Sequence, residues 1–220
     1  MGVLSKDQIQ ERLTAPLAER LVITPLLDRG AQISGASIDL RLGTEFIVLT
    51  RNQSPEINPA AEDYEAEVRK MIRRLHVPLG GDFVLHPRQF MLGSTLEYLR
   101  FPPNLMGYVE GRSSWGRTGL VIATATVVSP GYAGVLTFEI ANVGELPVRL
   151  HSGTRIAQIV IHAVEPPSDS ANDDHVTEVG PRYVTHKEAK FRIPTGPELG
   201  RLDTDADWAL LERYRTRFNK

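Results

Sequence analysis

Short apolar runs recur along the central part of the chain, and a turn-forming residue separates nearly every pair of them. The runs occupy residues 83–85, 90–95, 105–109, 120–124, 135–141, 148–150 and 155–162, with Gly, Pro or Asn in between. Many short strands at this spacing are typical of an all-β barrel or jelly roll and not of βαβ units. The pattern therefore predicts a mainly β fold.

The first fifty residues predict one helix and one long strand. Ser5 is a candidate N-cap, and Gln8 follows three residues later, as in a capping box. We expect a short helix from there to about Leu13. Residues 37–43 alternate polar and apolar side chains with a period of two, which predicts a half-buried strand that continues through 46–49.

A third element is predicted after a loop at residues 51–62. Apolar side chains then fall at helical spacing and predict one surface helix against the sheet: Tyr64, Val68, Met71, Ile72 and Leu75. This helix carries the densest basic cluster of the chain, Arg69, Lys70, Arg73 and Arg74. Glu65 and Glu67 lie beside it, so a solvated face with ion pairs such as Glu65 to Arg69 is favoured over nucleic-acid binding.

The C-terminal quarter begins with a polar, proline-led stretch at residues 166–174, which predicts the end of the compact part. Near the end of the chain, Asp203 or Thr204 can cap a helix that runs to about residue 219. We therefore expect a β domain with the N-terminal helix at 1–165, a tail at 166–200 and an additional C-terminal helix at 201–220.

Composition narrows the class of protein. The chain has 220 residues, 41% of them hydrophobic, with 25 Lys and Arg against 27 Asp and Glu. These values argue against disorder and against a globally basic nucleic-acid binder. The charged N-terminal region and the lack of a long apolar run predict a cytoplasmic protein with no signal peptide and no membrane span. With 0 Cys, the chain can form neither a disulfide nor a Cys-ligated zinc site.

The segment 110–119 has the composition of a phosphate-binding loop. It combines three Gly, two Arg and two Ser between apolar runs. Glycine lets backbone N–H groups approach phosphate oxygens, hydroxyls donate, and guanidinium groups bind phosphate through two parallel hydrogen bonds. A solvated turn between strands is the alternative. Trp115 in this segment is either a stacking platform for a base or a packing contact with a neighbouring subunit.

Glu139 is a carboxylate in the middle of an otherwise apolar strand. A period of two places Leu136, Phe138 and Ile140 on the opposite face, so Glu139 shares its own face with small residues and leaves room for a ligand. The alternative is an edge-strand glutamate that faces water.

Together, four motifs that follow one another along the chain resemble the dCTP deaminase family, which is related to trimeric dUTPases. They are Ser-Ile-Asp-Leu-Arg-Leu-Gly at 37–43, Gly-Arg-Ser-Ser at 111–114 with Arg-Thr-Gly at 117–119, Pro-Gly-Tyr-Ala-Gly at 130–134, and the Glu139 strand. The resemblance covers about residues 4–200. It implies a distorted β jelly roll of the dUTPase-like type with a few short helices. It also implies a homotrimer with active sites between subunits and a tail that closes over the nucleotide.

The resemblance further implies hydrolysis of dCTP to dUTP and ammonia, with magnesium bound through the triphosphate and no zinc. Glu139 corresponds to the catalytic general base and acid, and burial on its strand face is expected to favour its neutral form. Ser113 and Arg117 correspond to residues that organise Glu139 and the water. The expected substrate contacts are Arg112, Ser113, Ser114, Thr124, Ala125, Thr126, Ser129, Gln158, Tyr183 and Lys190. No protein-bound metal is expected.

Two positions depart from the family pattern. Ser129 stands where the family commonly has an Asp against the sugar 3′-hydroxyl, and Pro194 stands where it usually has a Gln. Gln158 resembles members that also remove pyrophosphate and yield dUMP, so a bifunctional enzyme is one alternative. A non-catalytic, nucleotide-binding regulatory trimer is another. A dUTPase alone ranks lower, because that reaction has no need of Glu139.

Overall fold

The computed structural model describes residues 2–50, 56–61, 63–123, 127–165, 176–178, 184–186 and 195–199. The helices in these ranges are short: α1 (Lys6–Thr14), α2 (Arg29–Gln32), α3 (Tyr64–Met71) and α4 (Ser113–Gly116). The strands of the first half are β1 (Val22–Thr24), β2 (Ser37–Leu49), β3 (Ile72–His76), β4 (Asp82–Leu85), β5 (Phe90–Arg100) and β6 (Leu105–Gly111). Those of the second half are β7 (Leu120–Ala123), β8 (Val127–Val128), β9 (Ala133–Asn142), β10 (Val148–His151), β11 (Arg155–Ala163), β12 (Val176–Glu178) and β13 (Val184–His186).

Most of these strands form one curled antiparallel sheet around a single apolar core. Its order is β7-β9-β5-β2-β11-β6-β8, with β1 paired to β5 and β3 paired to β2. Two further pairs stand apart from this sheet, β10 with β4 and β12 with β13. Phe46, Phe101 and Phe138 are among the largest side chains that the core buries fully. The predicted mainly β, barrel-like fold is confirmed.

The N-terminal helix begins as the sequence predicts. The Gln8 backbone N–H donates to Ser5 Oγ at 3.4 Å, and the Ser5 N–H donates to Gln8 Oε1 at 2.9 Å, which completes a capping box. Ile9, in the first turns of α1, is fully buried in the core. The helix therefore closes one end of the curled sheet.

The strand at residues 37–49 is continuous, but the half-buried character predicted for it is wrong. Both of its faces are covered, and the polar residues Ser37 and Asp39 are buried. Pairing with β5 and β11 covers only the edges of β2. Its polar face is covered by side chains from distant parts of the chain, since Arg112 and Arg155 both contact Asp39 Oδ2.

The helix predicted over residues 64–75 ends early. α3 stops at Met71, and from Ile72 the chain pairs with β2 as β3. Apolar side chains at this spacing fit a helix or a strand, and the free edge of β2 favours a strand after Met71. Arg73 and Arg74 are therefore strand residues. The predicted ion pair on α3 is confirmed, with Arg69 Nη2 at 2.5 Å from Glu65 Oε1.

The C-terminal part is described only in short segments. The stretch at 166–174 and the predicted C-terminal helix lie outside the described residues, so the proposed domain boundaries stay a prediction. Residues 195–199 return to the sheet, where the Glu198 backbone N–H donates to Thr137 Oγ1 at 3.1 Å. None of the helices in the described ranges has the length and apolar character needed to cross a membrane.

Candidate active site

The predicted phosphate-binding loop leaves β6 and turns once through α4. Its entry is fixed by the Arg112 backbone N–H, which donates to the Ile156 carbonyl oxygen of β11 at 2.9 Å. Its exit is fixed at Gly119, which has φ +84° and lies so close to Gly144 that a Cβ atom would come within 2.7 Å of it. Between these points Ser113, Ser114 and Arg117 are exposed. Their side chains make no hydrogen bond to any described residue, so they are available to a ligand.

The structure shows a contact of Trp115 that the sequence did not predict, in place of a stacking platform for a base or a packing contact with a neighbouring subunit. Its ring is half-buried and packs against the core of its own chain. The indole Nε1–H donates to the Arg155 carbonyl oxygen at 3.0 Å. Trp115 therefore anchors the loop to β11.

Arg112, at the start of the loop, is held by a buried carboxylate. Its Nη1 lies 2.9 Å from Asp39 Oδ2 on β2. Nη1 of Arg155, on β11, lies 2.9 Å from the same oxygen. The Asp39 side chain is only 10% exposed, while the two arginine side chains are 31% and 33% exposed. One carboxylate therefore gathers two guanidinium groups at the surface.

Gln158, a predicted substrate contact, lies in the same polar region. In the sheet register it stands opposite Asp39 of β2 on one side and opposite Glu110 of β6 on the other. Residues directly opposite in neighbouring antiparallel strands project on the same face with their Cβ atoms about 5 Å apart. The structure therefore brings Arg112 and Gln158 together around Asp39.

Glu139 lies on the face of β9 that the sequence predicts. Leu136, Phe138 and Ile140 are buried on the other face, and the Glu139 side chain is exposed. Its neighbours in register are Ala123 on β7 and Leu92 on β5, so β9 is an inner strand and not an edge strand. The expectation that Glu139 is buried is wrong for the chain alone, because the small residues on its face leave it open to water. Its carboxylate makes no hydrogen bond or ion pair with any described residue.

Ser129 begins the turn that leads into β9. The Tyr132 N–H donates to the Ser129 carbonyl oxygen at 3.2 Å. Gly131, the third residue of this turn, has φ +78°, and a turn with a positive φ at its third residue favours glycine there. Ser129 is exposed. Among the described residues no hydrogen bond joins Glu139 to Ser113, Arg117 or Ser129. The other predicted contacts lie outside the described residues: Thr124, Ala125, Thr126, Tyr183 and Lys190, together with Pro194.

Glu97 is a buried acid that the sequence reasoning missed. It lies on β5 with none of its surface exposed. Its Oε1 accepts a hydrogen bond from Gln32 Nε2 at 2.9 Å, and its Oε2 accepts one from the Arg41 backbone N–H at 2.8 Å. Burial raises the pKa of the Glu97 carboxyl to about 7, although both hydrogen bonds lower it. The sequence held one signal for this burial. Side chains two residues apart in a strand lie on the same face, and Leu99, two residues after Glu97, is buried.

The Glu97 network continues to Asp39. The Gln32 amide Nε2 also donates to the Asp39 carbonyl oxygen at 3.1 Å, and Arg41 Nε donates to Gln32 Oε1 at 3.1 Å. Gln32 is itself fully buried. The backbone on which the Asp39 carboxylate stands is therefore fixed from inside the protein.

The described residues contain no group of three His, Cys, Asp or Glu side chains that could hold a metal ion. Among the acidic groups at the loop, Asp39 already pairs with two guanidinium groups, and Glu110 is exposed where the segment begins. The polar chemistry of the described site therefore consists of cations, hydroxyls, the Gln158 amide and the exposed carboxylates of Glu110 and Glu139.

Comparisons with known proteins show which family the chain is similar to. Residues 3–164 match the dCTP deaminase-like family. A dCTP deaminase from Halorubrum lacusprofundi is 36% identical over 207 residues, which make up 94% of each chain. A dUMP-forming dCTP deaminase from Methanobrevibacter smithii is 39% identical over 170 residues, or 77% of this chain and 84% of that protein.

A solved structure supports the fold. The 2′-deoxycytidine 5′-triphosphate deaminase from Agrobacterium tumefaciens superposes with a TM-score of 0.56 at 23% identity, over 74% of this chain and 48% of that one. The resemblance of the four motifs is therefore confirmed by both sequence and fold. The chain belongs to the dCTP deaminase-like family.

Proposed function

We propose that this protein hydrolyses the 4-amino group of dCTP to give dUTP and ammonia. The observation that carries the proposal is Glu139, a carboxylate exposed in the middle of a strand whose other face is core. A charged side chain at such a position has no role in packing and is free to meet a substrate. The names of the relatives, which are dCTP deaminases, supply the substrate.

Glu139 acts in this proposal as general base and then as general acid. It takes a proton from a water molecule as the water oxygen bonds to cytosine C4. It then returns the proton to the amino nitrogen of the tetrahedral adduct, and the C4–N bond breaks to release ammonia. The second proton of the water moves from the C4 hydroxyl to ring N3, and the oxygen stays on C4 as the uracil carbonyl. Ser113 and Arg117 help to place the water and the carboxylate.

The loop binds the other end of the substrate. Arg112, Ser113 and Ser114 bind the triphosphate, assisted by Tyr183 and Lys190 of the tail. Thr124, Ala125 and Thr126 contact the base edge, and Ser129 contacts the sugar hydroxyl. When bound through the triphosphate, magnesium would neutralise part of the charge that Arg112, Ser113 and Ser114 face. Since the chain has no Cys, we propose a reaction that is independent of zinc.

We further propose that the active site is shared between subunits of a homotrimer. The Glu139 face also carries Val121 and Phe90, which both stand opposite Ala141 in register and are 44% and 38% exposed. Apolar side chains around an active-site carboxylate favour cover by a second surface. Such cover would exclude water and strengthen the interactions of Glu139 with the substrate.

The experiment supplies the protein with magnesium and, in separate reactions, dCTP, CTP, dCMP or dUTP. Products are resolved by anion-exchange chromatography and ammonia is assayed. For Glu139→Gln we expect ammonia release from dCTP to fall by at least about 100-fold, the usual range for loss of a general acid and base. Glu145→Gln, which alters an exposed carboxylate just beyond β9, is the matched control and should keep wild-type activity.

Two outcomes would replace the proposal. Formation of dUMP from dCTP would support the bifunctional reaction. The dUMP-forming relative and the position of Gln158 beside Asp39 favour that reaction as a second candidate. Binding of dCTP without turnover of any substrate would support the regulatory trimer.

A further inference from the structure

We propose that Arg155 is a further triphosphate-binding residue, which Asp39 holds beside Arg112 so that both arginines meet the same ligand. This inference rests on the proposed function, because it requires Arg112 to bind the triphosphate. Arg155 lies three residues before Gln158 and is not among the substrate contacts that the family resemblance implies. The inference comes from the arrangement of three side chains on three different strands or strand ends.

Asp39 gathers the two arginines at one point. Nη1 of Arg112 and Nη1 of Arg155 each lie 2.9 Å from the same atom, Asp39 Oδ2. The group of Asp39, Arg112 and Arg155 carries a net charge of about +1, and the nearest further carboxylate in register, Glu110, is exposed to solvent on the far side of Gln158. Like charges at this separation repel each other, and an anionic ligand relieves that repulsion. The arrangement therefore favours a polyanion over a neutral ligand.

Arg155 keeps a free edge for such a ligand. Its Nη1 is fully used, since it donates to Asp39 and also to the Ala31 carbonyl oxygen at 2.7 Å. Its Nε and Nη2 have no hydrogen-bond partner among the described residues. These two nitrogens carry parallel N–H groups that match two oxygens of one phosphate. The Arg155 side chain as a whole is 33% exposed, so a ligand from solvent can reach it.

The backbone ties Arg155 to the phosphate-binding loop. Its carbonyl oxygen accepts the Trp115 Nε1–H at 3.0 Å, and the next residue, Ile156, accepts the Arg112 N–H at 2.9 Å. Arg155 and the loop are therefore fixed in one frame. A guanidinium with a free edge in that frame adds a phosphate contact to those of Arg112, Ser113 and Ser114.

The test measures binding and turnover separately in the full-length protein. Isothermal titration gives the Kd for inorganic tripolyphosphate and for deoxycytidine, and an ammonia assay gives KM and kcat for dCTP. For Arg155→Gln we expect tripolyphosphate to bind at least about tenfold more weakly, the usual effect of losing a hydrogen bond between charged groups. Affinity for deoxycytidine should be unchanged. KM for dCTP should rise by a similar factor, while kcat changes less than about threefold.

Arg149→Gln is the matched control. Arg149 is an exposed arginine on β10 that forms an ion pair with Asp82, away from the nine-stranded sheet. The Arg149→Gln substitution removes the same charge as Arg155→Gln, and it should change neither the Kd for tripolyphosphate nor the Kd for deoxycytidine. If Arg155→Gln fails to fold, Arg155→Lys replaces it, since lysine keeps the charge beside Asp39 and loses the two-pronged edge. We then expect tripolyphosphate to bind several-fold more weakly.

A folded Arg155 variant with wild-type affinity for tripolyphosphate would overturn the inference, and it would leave dCTP deamination standing if the wild type still releases ammonia. Conversely, a wild type that binds tripolyphosphate through Arg155 but releases no ammonia would support the inference and overturn the proposed reaction. A wild type that binds neither tripolyphosphate nor dCTP would overturn both.

Discussion

Replacement of Glu97 by glutamine should make the stability of this protein less dependent on pH. Glu97 is fully buried on β5, and burial raises the pKa of its carboxyl from 4.5 to about 7. Between these values the folded protein keeps a proton that the unfolded chain has released. The contribution of Glu97 to stability is therefore fully present below pH 4.5 and is lost as the pH rises through 7.

The size of the effect follows from that difference in pKa. Each unit of difference in pKa between the folded and unfolded states corresponds to about 1.4 kcal/mol. Ionisation of Glu97 should therefore make the free energy of unfolding roughly 2 to 3 kcal/mol lower at pH 8 than at pH 5. Glutamine remains neutral at both pH values but offers only one acceptor oxygen, so either Gln32 Nε2 or the Arg41 N–H loses this partner at any pH. That loss should cost about 1 to 3 kcal/mol at both pH values. We therefore expect the free energy of unfolding of Glu97→Gln, relative to the wild type, to be roughly 2 to 3 kcal/mol more favourable at pH 8 than at pH 5.

Urea unfolding at pH 5 and pH 8 measures this difference, with tryptophan fluorescence as the signal. Protein concentration must be the same throughout, because the association of subunits that we propose would contribute to apparent stability. Glu145→Gln, at an exposed carboxylate, should change the free energy of unfolding by no more than about 0.5 kcal/mol at either pH. A Glu97→Gln effect that is equal at the two pH values would refute the reasoning.

Two substitutions test the packing that positions the site. Gly43→Ala would place a Cβ atom 2.7 Å from Ser94 Oγ, so the backbone of β2 must shift. Urea unfolding should then show a loss of about 2 kcal/mol or more in the free energy of unfolding. The control Gly35→Ala places its Cβ atom in open space and should show almost no loss. Asn142→Ala leaves the carbonyl oxygens of Leu85 and Leu146, each now 2.9 Å from Asn142 Nδ2, without this donor. It should lower the melting temperature and the free energy of unfolding, the latter by about 2 to 4 kcal/mol.

The features that the sequence predicts well are those whose causes are local. The capping box at Ser5 needs two side chains three residues apart, and the structure contains both of its hydrogen bonds. The side of β9 on which Glu139 lies can be predicted from its apolar neighbours along the strand, because side chains in any strand alternate between two sides. The seven strands predicted between residues 83 and 162 are confirmed for a similar reason, since each is a short apolar run between turn residues.

The remaining features depend on contacts between distant parts of the chain. Asp39 belongs to a strand whose alternation indicates a solvent-exposed polar face, and only contacts with side chains from distant strands show that this face is buried. Its two partners, Arg112 and Arg155, lie 73 and 116 residues further along the chain. Residues 72–76 likewise join the sheet because β2 offers them an edge. A pattern within a single segment contains none of this information.

Glu97 and Glu139 show how one fold gives the same side chain two opposite environments. They lie on paired neighbouring strands, β5 and β9. Glu97 accepts two hydrogen bonds and meets no solvent, so it can stabilise structure but cannot reach a substrate. Glu139 can reach a substrate, but no described residue of its own chain orients it or shields it from water. General acid and base catalysis requires both orientation and shielding. The exposed apolar side chains of Val121 and Phe90 beside Glu139 are where a second surface would supply them, which is why we place the proposed reaction between subunits and not within one.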